Sequence, residues 1–311
     1  MTYVKPIRQN YEAVYTNFTL QKSYFNRLIS TTFTDENYPT YDETATYNTG
    51  DFVIETNTHS IYRSAKDSNT SPLDDETSWV NYGAANSFKM FDEVANTQSR
   101  FDTTVTIEIE ANWYDTVSFL NLKNVTTVQV VQTDLDTNTV MFDETYNLSD
   151  YGVQSLYEYW YKPVRFKGEL FIAGLRFLGN AKLTITFNGS TEAYVGAVVT
   201  GMRQDLGCTL YGTSVRIKDY SIYKEDAFGN MTFERRPFAR IINAKASIDN
   251  TMADYVFQAV ADIRGEVSLF SADERDEGYT SLTTLGYIKE FEIPFENPVK
   301  SKIPITIVGV A

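Results

Sequence analysis

Apolar and polar residues alternate along much of this chain with a period of two. Val105-Thr106-Ile107-Glu108-Ile109-Glu110 and Lys182 to Phe187 are the cleanest cases. A strand sends successive side chains to opposite faces, so this pattern predicts strands with one wet face. Val117 to Leu122, Val128 to Gln132 and Val140 to Phe142 read the same way, and Asp134-Leu135-Asp136-Thr137-Asn138 supplies turn residues ahead of the last. Tyr157 to Phe166, aromatic in part at alternate positions, joins the series, and Ala193 to Val199 is a continuous buried run. About eight strands with no helical period between them predict an antiparallel sandwich of jelly-roll type over residues 89–202.

Either side of this region the pattern changes. Residues 38–88 predict a small three-stranded module, with Asp51 to Ile54 and Ser60 to Arg63 flanking the turn Thr56-Asn57-Thr58-His59, and a polar loop from Ala65 to Thr77 leading to Trp79. Residues 203–311 predict a second β-rich domain, with strands at Val215 to Ile222, Met231 to Ile242, Tyr287 to Ile293 and Ile303 to Val308. Within it Met252, Tyr255, Val256, Ala259, Val260 and Ile263 recur at helical spacing, which predicts one helix over 250–264 with Asp249 or Asn250 as cap and Gly265 as stop. Residues 1–37 show no clean period. Gln21 to Ile29 is read as one short helix, and the segment as an arm docked on a neighbour or on its own body, or else a mobile tail. The fold class is thus mainly β, and no internal repeat points to a solenoid or propeller.

Composition agrees with strands: 22 Tyr and 20 Phe, with many Thr and Val, favour a half-buried pleated surface. The formal charge of −14 repels phosphate backbones, which argues against nucleic acid as a partner. No apolar run approaches the ~20 residues that span a bilayer, so no membrane insertion is expected, and Met1 to Asn10 lacks a signal core. The single cysteine, Cys208, sits in the run Gly207-Cys208-Thr209-Leu210 and is read as a buried, inert thiol.

One histidine, His59, in a turn, removes the Ser-His-Asp and Cys-His templates and the histidine zinc sites. No phosphate-binding glycine loop is present. Carboxylates such as Asp219, Asp226 and Glu234, or Glu108 and Glu110, supply pairs of the kind glycosidases use, but 41 acids make such pairs inevitable. The alternate acids at Asp134 and Asp136 fit a turn better than a calcium loop. The chain is therefore expected to be no enzyme, with no catalytic residue, metal or cofactor.

Two stretches resemble known families. Tyr47-Asn48-Thr49-Gly50-Asp51-Phe52-Val53, continued by Ile61-Tyr62-Arg63-Ser64-Ala65, Pro72 and Trp79, resembles the small chitin- and cellulose-binding modules. That resemblance implies aromatic rings stacked on pyranose sugars, at the matching positions Tyr47, Tyr62 and Trp79. The tryptophan usual ahead of the first tyrosine is absent, Tyr41 being nearest. The residues leave a second reading open, in which Tyr62 and Trp79 form the module's core.

The second resemblance rests on an ordered set: Asn86 to Asp92, Val117 to Leu122, Gly196 to Gly201, Leu206-Gly207, Lys218 to Ser221, Asp226 to Asn230 and Glu234 to Phe238. Together these look like the structural tail proteins of tailed bacteriophages that carry a carbohydrate-binding-like insert, with a galactose-binding-like jelly roll near residues 100–200. The resemblance implies a virion component of the tail, baseplate or neck, made in the host bacterial cytoplasm. Its partners would be other virion proteins and copies of itself in a symmetric assembly, with host-surface glycan recognition as the alternative role. Arg235 and Arg236 bring fork-shaped donors suited to clamp a partner's carboxylate, or to close an ion pair within the chain.

Overall fold

The computed structural model describes residues 2–4, 27–92, 97–150, 155–161, 165–225, 228–273, 279–295 and 297–310. The chain is mainly β, and among the described residues every pair of named strands is antiparallel.

Residues 97–201 build the sandwich. Its larger sheet runs Thr139–Asn147, Lys123–Asp134, Ala181–Val195, Thr104–Ala111 and Arg27–Thr31 in spatial order, with Ser99–Phe101 pairing the far end of Ala181–Val195. The alternation read from the sequence is what this sheet requires. Val105, Ile107 and Ile109 point inward opposite Phe187, Ile185 and Leu183 in turn, while Glu108 faces outward and accepts a hydrogen bond from Lys182 at 2.9 Å. Register on the long strand shifts at Gly189, where a Cβ would meet that of Ala193 at 2.4 Å, so a side chain there has no room.

The smaller sheet is Leu170–Ala173, Thr116–Leu120 and Ala197–Gly201. Every residue of the last two strands is buried, because the sheet has a neighbour on each face. Val117, Phe119 and Val198 enter the sandwich core, whereas Leu120, Ala197 and Val199 join Leu269 and Leu285 of the C-terminal sheet. A strand covered on both sides reads as an unbroken apolar run, which accounts for Ala197 to Val199; Ala193 to Val195 ends the long strand of the larger sheet, with Tyr194 half-buried.

The C-terminal sheet runs Arg203–Asp205, Thr2–Val4, Ser268–Ser271, Thr283–Phe291, Lys300–Gly309, Phe238–Asp249 and Cys208–Thr209, with Ser214–Asp219 also on Phe238–Asp249. The expected helix is present as a 3-10 turn, Asn250–Met252, leading into Ala253–Asp262, and Gly265 follows at φ 77. It buries Ala253, Val256 and Ala259 on Ile242, Ala244, Ile303 and Ile305. Asn250 ties outward to Asn297 and Ser301, and neither it nor Asp249 caps the helix with its side chain.

Three expectations need correction. Residues 27–29 of the expected Gln21–Ile29 helix lie in the strand Arg27–Thr31, drawn there by pairing with Thr104–Ala111 and by Leu28 packing on the sandwich core; the rest lies outside the described residues. Residues 157–161 of the expected Tyr157–Phe166 strand lie in the helix Leu156–Tyr161, whose first turn is held by the Glu158 amide donating to Ser155 Oγ at 3.2 Å, while Arg165–Phe166 is a strand. Cys208 is exposed: Gly207, at φ 109, turns the chain so that Leu206 enters the core and Cys208 faces out.

Candidate interaction surfaces

The small module is the sheet Phe52–Ile54, Ser60–Ser64 and Trp79–Ala84. Its register assigns side chains to faces, since residues opposite one another across an antiparallel pair share a side. Val53 stands opposite Tyr62 and Ser64 opposite Trp79 on the inner side; Phe52 stands opposite Arg63 and Arg63 opposite Val80 on the outer.

The three sequence-assigned sugar positions therefore come together, but as a core. Trp79 is 2% exposed, packs edge-on against Tyr47 at 5.2 Å, and donates its indole N–H to Ser71 O at 2.9 Å. Tyr47 is buried, and its hydroxyl accepts the Asp42 amide hydrogen at 2.8 Å. Tyr62 packs half-buried on the same cluster, and burial pushes its phenol above the ordinary value. A module of this size has few aliphatic residues to fill its centre, so the aromatics are used there. No ring face of Trp79 is left for a pyranose.

The outer face holds what the sequence reading missed. Tyr38 stacks on Phe52 with ring centroids 4.9 Å apart and planes 19° from parallel, and Tyr82 meets Phe52 edge-on at 5.3 Å. The Arg63 guanidinium lies 5.8 Å from the Phe52 ring centre. Tyr82 is 66% exposed. The available signal was the period of two: Phe52 and Arg63 each sit one position from a core residue. His59, in the turn beside this sheet, is half-buried against Phe88 at 3.8 Å, and burial, opposed by Asp35, lowers its pKa.

A second surface is an arm. Ser214–Asp219 pairs with residues 238–243, and the ladder resumes as Ile222–Glu225 with Met231–Glu234 beyond a break at Tyr220 and Pro237. Gly229, at φ 82, allows the tip turn. Residues 214–220 and 228–238 are exposed throughout, and the twelve positions from 214 to 225 extend ~40 Å. Tyr223, Met231 and Phe233 share one open face by register, and Phe228 at the tip is 91% exposed.

At the arm's root Arg235, Arg236, Phe238 and Arg240 line a cavity of about 500 Å³ with Glu169 and Leu285. Arg236 donates to Glu234 at 2.9 and 3.2 Å, so the ion pair within the chain is formed; Arg235 lies near Asp219. Glu169 is 9% exposed and takes a hydrogen bond from Arg240, which also donates to Thr283 O at 3.1 Å. Burial pushes the Glu169 carboxyl up to about 7, against the pull of Arg240.

The remaining carboxylate candidates have structural partners. Asp219 accepts from Ser221 and Tyr223, and these bonds hold it below the ordinary range; Glu108 accepts from Lys182 and Ser30. Glu110, on the same strand as Glu108, stands opposite Lys182 in the register. Asp134 accepts from the Asp136 amide and the Thr137 hydroxyl, closing a turn. Asp226 lies outside the described residues. Among the described residues no cluster of three or more His, Cys, Asp and Glu is placed to hold a metal, and no helix is long and apolar enough to cross a membrane. Compared with known proteins, the chain matches no family model, no curated protein and no solved structure.

Proposed function

We propose that this protein is a structural component of a bacteriophage tail, baseplate or neck that works by docking other virion proteins. The observation that carries this reading is the arm. A two-stranded ribbon is marginal in water on its own, and one that holds Tyr223, Phe228, Met231 and Phe233 open to solvent keeps apolar area for a partner. The exposed aromatic turn at Leu156, Tyr157, Trp160 and Tyr161 adds a second such surface. The ordered resemblance to phage tail proteins supplies the setting. Mass spectrometry of gradient-purified particles from the source of this chain tests the reading: the chain is expected at fixed stoichiometry with tail proteins, and its absence overturns it.

A second role, recognition of a host-surface polysaccharide, is favoured by one observation, the open Tyr38–Phe52–Tyr82 face with Arg63 beside it. Exposed rings in such a row stack on sugar C–H faces, and a guanidinium binds hydroxyls or acidic substituents. In this reading the sugar contacts lie on the opposite side of the sheet from Trp79.

A further inference from the structure

We propose that the arm of one copy adds as a strand to the Thr139–Asn147 edge of another copy, giving a head-to-tail assembly of this chain. The inference deepens the assembly reading and rests on it for its biological setting.

Both partners are open sheet edges. Among the described residues, Ser214–Asp219 pairs only with Phe238–Asp249, and Ile222–Glu225 only with Met231–Glu234. Among the described residues, Thr139–Asn147 closes the six-stranded sheet, pairs only with Lys123–Asp134, and is regular over residues 142–147 beyond its bulge. Each is the outermost described strand of its ladder, and a sheet edge is the element to which a strand from another chain adds.

Charge decides which edges meet. Residues 214–238 carry Arg216, Lys218, Lys224, Arg235 and Arg236 against Asp219, Glu225, Asp226 and Glu234, one positive charge in excess within a chain of formal charge −14. Residues 134–150 carry Asp134, Asp136, Asp143, Glu144 and Asp150 and no Lys or Arg. Two receiving edges repel one another, whereas the arm, with its slight positive excess, is attracted to the acidic edge. Arm on receiving edge is the pairing that electrostatics favours. Half-buried Phe142 and Tyr146 share one face of the receiving strand and offer apolar surface to Tyr223 and Phe233 of the incoming arm. Because the two surfaces differ, the contact is heterologous: it closes into a ring if the rotation allows and otherwise grows as a filament.

Sedimentation velocity of the full-length chain over a concentration series, at low and high salt, tests this. The wild type is expected to associate reversibly and less at high salt. Reversing the arm (K218E with K224E) or the edge (D143K with E144K) should weaken association by about tenfold or more. An equimolar mixture of the two variants should recover it, since each then offers a matched surface to the other. F228S, at the tip, reports on the apolar contribution without changing charge, and melting curves confirm that each variant is folded. A wild type that stays monomeric at all concentrations overturns the proposal. So does association that ignores the edge reversal, or a mixture that fails to recover. A chain found in particles but monomeric in solution would sink this inference and leave the assembly reading standing; association without presence in particles would do the converse.

Discussion

Arg240 donates to Glu169 and to the carbonyl of Thr283, so one side chain of the C-terminal sheet is anchored both to the sandwich and to its own sheet. The Glu169 carboxylate has one oxygen, Oε2, buried with no hydrogen-bond partner, which is costly for an ionised group and explains why burial outweighs the arginine.

Glu169 makes stability fall with rising pH. Its folded pKa, about 7, lies above the ordinary 4.5, so the folded state holds a proton that the unfolded state releases. The contribution is complete below pH 4.5 and is lost as pH rises through 7. At most roughly 3 kcal/mol is involved at full loss. Melting temperatures taken from pH 5 to 8 should decline, and E169Q should flatten the decline. An equal slope in E169Q would show that other groups control it.

Arg240→Met leaves the glutamate without its cation, so the cost depends on pH. Above neutrality the loss should reach about 3 kcal/mol, the range for breaking a buried pair, and at pH 5 it should be much smaller because Glu169 is then neutral. Urea titrations at the two pH values separate these cases.

Trp79→Ala and Tyr82→Ala should behave in opposite ways. Loss of the buried indole is expected to cost about 3–5 kcal/mol and expose the module to protease. Loss of the exposed Tyr82 ring should change stability by no more than about 0.5 kcal/mol while weakening polysaccharide retention. Limited proteolysis alongside an affinity-gel assay reads both. Retention unaffected by Tyr82→Ala would remove the sugar-binding role from the outer face.

Gly189→Ala puts a methyl group where Ala193 Cβ already lies within 2.4 Å of the new atom. A destabilisation of about 1–3 kcal/mol is expected from the overpacking, measured by chemical denaturation. A neutral result would mean that the register shift at this position adapts freely.

Cys208 should react with a thiol reagent in the native protein, one equivalent per chain without denaturant. Protection until unfolding would restore the buried reading.

The elements read correctly from the sequence are those whose evidence is local. Lys182 to Phe187 and Val105 to Glu110 announce strands because each residue sees the same two faces for its whole length. The Met252-to-Ile263 spacing announces a helix for the same reason, with Gly265 as its stop. Tyr157 to Phe166 misled because Leu156, Tyr157, Trp160 and Tyr161 are exposed, so no buried face imposed a period and a cap at Ser155 decided the matter.

By itself, then, the sequence determined strand class and the helix over 253–262, both of which follow from residue type and near-neighbour spacing. Only the tertiary structure decided that Trp79 faces in while Phe52 and Arg63 face out, that Cys208 is exposed, and that residues 214–220 and 228–238 form an exposed arm. Those facts depend on which distant strands pair and in what register, and a shift of one residue exchanges the two faces of a strand while leaving its pattern unchanged.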